Sequence, residues 1–129
     1  MVAVDTNVVV RLLTADNAAQ YKASVALFST ETIFIPLTVL LETEWVLRVA
    51  YERTAAEVCE ALRRVLGLPN VDVADAQRVA QAIAWHERGL DFADALHLAL
   101  SQGHETLKTF DTAFVRQAKG LGECQVEKP

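Results

Sequence analysis

Residues 1–13 read MVAVDTNVVVRLL, and this stretch decides how the rest of the chain is interpreted. The apolar run at residues 2–4 predicts a short β-strand, and Asp5 follows it directly. The next segment, residues 7–13, is ambiguous because its three consecutive valines favour a strand locally. We predict a short helix there, although residue propensity alone argues against it.

The remainder of the chain alternates short β-favouring runs with longer segments whose apolar residues recur at three- and four-residue spacing. This order is typical of a parallel sheet covered by helices, because parallel strands need crossover connections. We therefore predict a three-layer α/β domain with a short, mainly parallel central sheet flanked by helices. The further predicted strands are residues 32–35, 71–73, 107–110 and 124–126, and the predicted helices are residues 18–29, 39–51, 55–66, 76–87, 93–100 and 112–118.

The composition predicts a single domain over residues 1–129, since 52% hydrophobic residues suffice for one contiguous core. No apolar run approaches a membrane span and the start lacks a leader pattern, so we expect a cytoplasmic protein without membrane contact. Cys59 and Cys124 are too few for a disulfide framework or a zinc site, and we expect both to be packing residues. The net charge of -5 argues against general electrostatic binding of long nucleic acid, so an RNA substrate would have to be bound locally.

Four carboxylates stand where an α/β fold collects ligands. Asp5 and Asp111 directly follow predicted strands, and ligands bind at the carboxyl ends of strands in open α/β sheets. Glu42 lies in the first turns of the helix after the second strand, and Asp94 opens the helix that precedes the strand ending before Asp111. Four such groups within ~4 Å would repel by ~4 kcal/mol per pair, a cost that divalent cations remove. Magnesium prefers oxygen ligands, so a magnesium site is a reasonable prediction.

Each acid also has a structural explanation, because aspartate is a favoured helix N-cap. Asp111 precedes a helical segment, and Asp91 with Asp94 looks like a cap followed by the third residue of its helix. In LLETEWVLR, residues 40–48, only one of Glu42 and Glu44 can face a site, since residues two apart lie on different sides of a helix. Glu44 has Arg48 four residues later, so we predict a surface pair there and an inward-facing Glu42.

Four motifs in order resemble those of the PIN-domain ribonucleases: DTN at residues 5–7, the glutamate of LLETEWVLR, DFADALHLA at residues 91–99 and TFD at residues 109–111. The spacing is most similar to that of the VapC toxins of bacterial type II toxin-antitoxin pairs, over nearly the whole chain. The resemblance implies a Mg²⁺- or Mn²⁺-dependent endoribonuclease that hydrolyses RNA phosphodiester bonds with metal-activated water. It implies a helix at residues 7–13 and a catalytic metal site formed by Asp5, Glu42, Asp94 and Asp111. It also implies accessory roles for Thr6, Asn7 and Asp91, in which Thr6 and Asn7 orient Asp5 or a bound water.

The resemblance also implies a cognate antitoxin protein whose tail inhibits the enzyme, and we expect a symmetric homodimer, the commonest oligomer type. Two alternatives remain open. The chain could be a catalytically inactive PIN-like interaction module whose acids only cap helices. A phosphatase of the haloacid dehalogenase type is the weaker alternative, because it needs an acid two residues after the first aspartate, where Asn7 stands. We expect His97 to be a core histidine, since leucines surround it in the sequence.

Overall fold

The computed structural model describes residues 1–129, with seven helices and five short strands. Its internal contacts divide the chain into two units, residues 1–76 and residues 77–129. The prediction of one domain over residues 1–129 stays a prediction. The first unit contains β1 (Val2–Ala3), α1 (Thr6–Thr14), α2 (Ala18–Thr30), β2 (Ile33–Phe34), α3 (Leu37–Val49), α4 (Ala55–Leu66) and β3 (Val71–Asp72). The second unit contains α5 (Ala76–Glu87), which starts at the boundary, followed by α6 (Phe92–Leu100), β4 (Thr106–Lys108), α7 (Thr112–Gln117) and β5 (Gln125–Glu127).

A three-stranded parallel sheet, in the order β1-β2-β3, lies in the first unit. Val2 is opposite Ile33, and Ile33 is in turn opposite Val71. Ile33 is completely buried because its strand is the central one. Two helices connect each strand to the next, as parallel pairing requires. The predicted α/β class with a short parallel sheet is confirmed for this unit.

The second unit has a two-stranded parallel sheet in which α7 forms the connection between β4 and β5. Thr106 is opposite Gln125, and Lys108 is opposite Glu127. At the end of this pair the Lys108 Nζ donates to the Glu127 carboxylate at 2.5 Å. The strand predicted at residues 107–110 is shifted, since β4 ends at Lys108 and leaves Phe110 outside the sheet. The sequence prediction for Phe110 was therefore wrong.

Helix α1 forms in spite of its three valines. Asp5 caps its N-terminus, and Thr6, Val9 and Val10 lie buried along one side. Burial at helical spacing outweighs the local strand preference of β-branched residues, which is only a fraction of a kcal/mol for each residue. The prediction of a helix at residues 7–13 is confirmed, with one residue more at each end.

The buried side chains of the two units are mostly aliphatic, with aromatic residues such as Phe28 and Phe114 and both cysteines among them. Cys59 and Cys124 are free and buried, which agrees with the prediction that both are packing residues. None of the seven helices combines the length and the apolar character that a membrane crossing requires. Fully buried side chains of the first unit include Val9, Ile33, Ile35, Leu40, Val58 and Leu62, and those of the second include Ala82, Ala95, Leu98 and Ala99.

Candidate functional site

Asp5 is the N-cap of α1. Its backbone is extended, with φ -96° and ψ -179°, and its Oδ1 accepts the Val8 backbone N–H at 3.4 Å. The residue is exposed, so this long hydrogen bond positions the carboxylate without removing it from solvent. The sequence predicts a catalytic acid here, and the structure shows an accessible carboxylate held at the start of a helix.

Thr6 connects this helix start to Glu42 on α3. The Thr6 side chain is buried, and its hydroxyl donates to the Glu42 carboxylate, which is exposed. The resemblance implied that Thr6 orients Asp5 or a water molecule, whereas in the structure the Thr6 hydroxyl donates its hydrogen bond to Glu42. This hydrogen bond therefore ties the second predicted acid to the residue that directly follows the first.

The prediction that Glu42 faces inward and Glu44 outward was wrong. Glu44 is only 3% exposed, and its carboxylate accepts Arg48 Nε at 2.7 Å. The predicted ion pair is present, but its glutamate lies in the interior. The buried residues of α3 are Leu40, Thr43, Glu44 and Leu47, whereas the apolar Trp45 and Val49 are exposed.

Asn7 is exposed and lines a cavity of about 290 Å³ between α1 and α2. Arg11, Gln20 and Ser24 also line this cavity. Arg11 donates to Gln20 at 2.7 Å and forms an ion pair with Asp16 at 2.8 Å. Asn7 therefore lines a cavity of mixed polar and apolar character, in which the one cation, Arg11, already has a carboxylate partner.

The second unit contains the other predicted acids. Asp91 caps α6 by accepting the Asp94 backbone N–H at 3.2 Å, and Asp111 caps α7 by accepting the Phe114 N–H at 3.1 Å. Burial, followed by the charges of Asp91 and Asp111, raises the pKa of the Asp94 carboxyl, and His97 opposes this shift. The ionised form of Asp94 is therefore destabilised by its burial and by two other carboxylates. His97 is exposed, so the expectation of a core histidine was wrong.

These carboxylates offer the oxygen donors that Mg²⁺ and Mn²⁺ prefer. Within neither unit do three or more His, Cys, Asp or Glu side chains form a group that could hold a metal ion. The electrostatics nevertheless fit a cation in the second unit, because burial and then the charges of Asp91 and Asp111 make ionisation of Asp94 costly and raise its pKa. A divalent ion would remove this cost. The donor set therefore suits a hard divalent metal by chemistry and by charge.

The sequence profile of the PIN domain matches residues 2–120, which is most of the chain. The chain therefore belongs to the PIN-domain family, and the predicted three-layer PIN-like fold class is confirmed. Proteins of this family are generally nucleases that use divalent metal ions. Among curated protein sequences, none matches the chain significantly.

Phe110 is a residue that the sequence interpretation missed. It is 83% exposed although it is a large aromatic side chain, and it directly precedes Asp111. The strand ends early because the Thr109 hydroxyl accepts the Asp111 backbone N–H at 3.1 Å, a local turn that replaces sheet pairing. The threonine two residues before an aspartate was the signal that could have located this turn.

The raised pKa of Asp94 predicts how the stability of the folded protein depends on pH. A carboxyl whose pKa is raised on folding destabilises the folded state once it ionises, so stability is lost as the pH rises through the unfolded and then the folded pKa. We expect Asp94→Asn to raise the melting temperature of the metal-free protein at neutral pH by up to ~3 °C, and to have no such effect below about pH 3.5. Thermal unfolding across this pH range measures it.

Asp72→Asn is the control for this experiment, since it removes one exposed negative charge on β3, in the other unit. If Asp94→Asn lowered the melting temperature at neutral pH while Asp72→Asn left it unchanged, the charge of Asp94 would be stabilising and the interpretation would be wrong.

Proposed function

We propose that this chain is a metal-dependent endoribonuclease and the toxin of a type II toxin-antitoxin pair. The observation that carries the proposal is the placement of carboxylates in a PIN-domain chain. Asp5 and Asp111 are exposed at helix N-termini, Glu42 is exposed on α3, and the pKa of Asp94 is raised by burial and by the charges of Asp91 and Asp111. We propose that these four residues are the catalytic and metal-holding residues.

The chain's own residues would pre-organise this reaction. The hydrogen bonds from the Val8 and Phe114 backbone N–H groups hold the Asp5 and Asp111 carboxylates in one orientation, and Thr6 does the same for Glu42. Such fixed donors and acceptors cost no reorganisation when charge develops on the substrate. When bound, Mg²⁺ or Mn²⁺ supplies Lewis-acid stabilisation of phosphate charge and activates water. No side chain of the protein is required as a nucleophile.

An exposed aromatic residue supports RNA as the substrate. RNA bases that are unstacked from their strand bind aromatic faces, and base stacking contributes ~1–3 kcal/mol for each base. Phe110 offers such a face beside Asp111. We expect Phe110→Ala to raise KM for a single-stranded RNA about tenfold with little change in kcat, which steady-state cleavage kinetics would measure.

The matched control is Phe110→Tyr, which keeps the ring and should keep KM within about twofold of the parent value. Because Phe110 is exposed, neither variant should shift the melting temperature noticeably. Equal KM values for the alanine variant and the parent would exclude a stacking role.

The direct test of the proposed activity uses total cellular RNA. The purified protein is incubated with this RNA in EDTA, in Mg²⁺ and in Mn²⁺, and the new RNA ends are mapped. New ends at defined positions, present only with metal and absent for Asp94→Asn, would support the proposal. RNA that stays intact under all three conditions with the folded protein would overturn it.

An inactive interaction module is the second candidate, and one observation favours it. Asp5, Asp91 and Asp111 each cap a helix, a structural role that needs no chemistry. Titration of Mg²⁺ or Mn²⁺ into the metal-free protein, followed by calorimetry, separates the candidates. Caps alone would give no specific binding, whereas a nuclease site would bind the ion and lose it in Asp94→Asn.

The toxin role requires an antitoxin, and the carboxylates suggest how it would inhibit. Arginine makes bidentate hydrogen bonds to carboxylates and can compete with a metal for them. We expect the product of the adjacent gene to co-purify with this chain and to block RNA cleavage through basic residues of its tail. Replacement of those basic residues by alanine should restore cleavage. A partner that binds tightly but leaves cleavage unchanged would contradict this mode of inhibition.

We also propose that the chain forms a symmetric homodimer. Trp45 and Val49 lie one turn apart on α3 and are both exposed, so they offer an apolar surface that a second copy would cover. Light scattering over a range of concentrations measures the assembly, with Trp45→Ala as the variant and Phe110→Ala as the control for loss of an exposed aromatic residue.

A further inference from the structure

A cavity of about 240 Å³ lies in the second unit, where the segments that follow α5 and α7 meet. Its wall includes the apolar side chains of Trp85 and Leu90, both of which are buried. Arg88, Gln117 and Lys119 are exposed and line the same cavity. The cavity therefore combines an apolar wall with two cations and an amide.

The two cations have no partners within the protein. The side chains of Arg88 and Lys119 make no hydrogen bond and no ion pair, and no acidic residue lines the cavity. Of the other cations in this unit, Lys108 pairs with Glu127 and Lys128 donates to the Thr112 hydroxyl at 2.8 Å, while Arg116 is exposed and does not line the cavity. In a chain with a net charge of -5, two free cations around one cavity form a local site for an anion.

The position of the cavity connects it to the acids of the second unit. Leu90 directly precedes Asp91, the cap of α6. Gln117 is the last residue of α7, whose first turn is capped by Asp111. Six residues at 1.5 Å each give α7 a length of about 9 Å, which a single-stranded RNA backbone spans in a few nucleotides.

We propose that this cavity binds a backbone phosphate of the RNA strand, on the same strand as the bond that is cut. This inference rests on the proposed endoribonuclease function and adds a substrate contact to it. Arg88 can form two parallel hydrogen bonds to phosphate oxygens, and Lys119 supplies a point charge. Gln117 adds an uncharged amide donor. Such a contact positions the strand without reading its sequence.

The first experiment measures binding of a fluorescein-labelled single-stranded oligoribonucleotide by anisotropy, in EDTA so that no cleavage occurs. The double variant Arg88→Gln/Lys119→Gln should bind about tenfold more weakly than the parent. The slope of log K against log salt should become shallower by about 0.7, the value for one phosphate contact to a single strand. The control, Lys22→Gln/Arg116→Gln, removes two exposed cations that do not line the cavity and should change the Kd less than twofold.

The second experiment uses tryptophan fluorescence. The chain has two tryptophans, so Trp45→Phe leaves Trp85, which lines the cavity, as the only one. The oligoribonucleotide should change the Trp85 emission, and this change should disappear when Arg88 and Lys119 are also replaced. Inorganic phosphate is titrated in parallel and should compete with the RNA. Saturation by inorganic phosphate that RNA cannot displace would assign the cavity to a free phosphate compound and overturn the proposal.

The outcomes distinguish this inference from the proposed function. If the parent cleaves RNA with metal but the cavity double variant binds RNA as the parent does, the phosphate site is overturned and the nuclease stands. If RNA binding depends on Arg88 and Lys119 but no metal supports cleavage, the phosphate site stands and the nuclease is overturned. Far-ultraviolet circular dichroism of each variant checks that the fold is retained.

Discussion

Asp5→Asn is expected to reduce RNA cleavage about a thousandfold while the protein stays folded. The amide lacks the charge that holds a divalent ion, and a loss of ~4 kcal/mol of charge stabilisation corresponds to this factor. The fold survives because asparagine caps a helix about as well as aspartate, so the Val8 N–H keeps its acceptor. Single-turnover cleavage at fixed Mg²⁺ concentration, together with thermal unfolding, measures both effects.

Asp5→Ala serves as the companion variant, because it removes the charge and the cap together. It should lose the same activity and also ~0.5–2 kcal/mol of stability. Asp111 offers the same comparison, since it caps α7 through the Phe114 N–H. If the folded Asp5→Asn protein cleaved RNA within a few-fold of the parent rate, Asp5 would be a cap and nothing more.

The second large effect separates two glutamates on one helix. Glu42→Gln should lower cleavage about a hundredfold with little effect on stability, because Glu42 is exposed and is proposed to hold the metal. Glu44→Gln should do the opposite. It removes the charge of a buried glutamate whose partner, Arg48, is 40% exposed, and it should cost ~1–3 kcal/mol of stability while leaving activity below the melting transition nearly unchanged.

The two variants are matched, since each converts one glutamate of α3 into glutamine two residues apart. Chemical denaturation and cleavage assays on both proteins make the comparison. A Glu44→Gln protein that is stable but inactive, beside an active Glu42→Gln protein, would show that the catalytic glutamate was assigned to the wrong position.

Helix boundaries were predictable where local chemistry determines them. The segments at residues 55–66 and 76–87 were predicted to the residue. For α4 the reason is visible in the sequence, since Thr54 and Glu57 form a capping box with hydrogen bonds of 3.2 and 2.9 Å. The order of strands and helices likewise predicted parallel pairing, because short connections cannot join parallel strands.

The direction in which a helix face points was harder to predict. Spacing shows which residues share a face, but the choice between core and solvent depends on what packs against it. On α3 the apolar Trp45 and Val49 are exposed, while the charged Glu44 is buried and pairs with the partly exposed Arg48. His97 is similar, since leucines beside it in sequence lie on other faces of α6. Tertiary contacts decide such cases.

The capping acids limit how the proposed activity could be lost from a chain that still folds. A descendant that drifted into a purely binding role would keep its helix starts intact with aspartate, asparagine, serine, threonine or glycine at positions 5 and 111. Substitution of position 5 or 111 by most other residues would also lower the stability of the fold, and the cell would degrade the less stable protein sooner. Relatives with asparagine or serine at these two positions are therefore the ones in which to look for a folded, non-cleaving descendant.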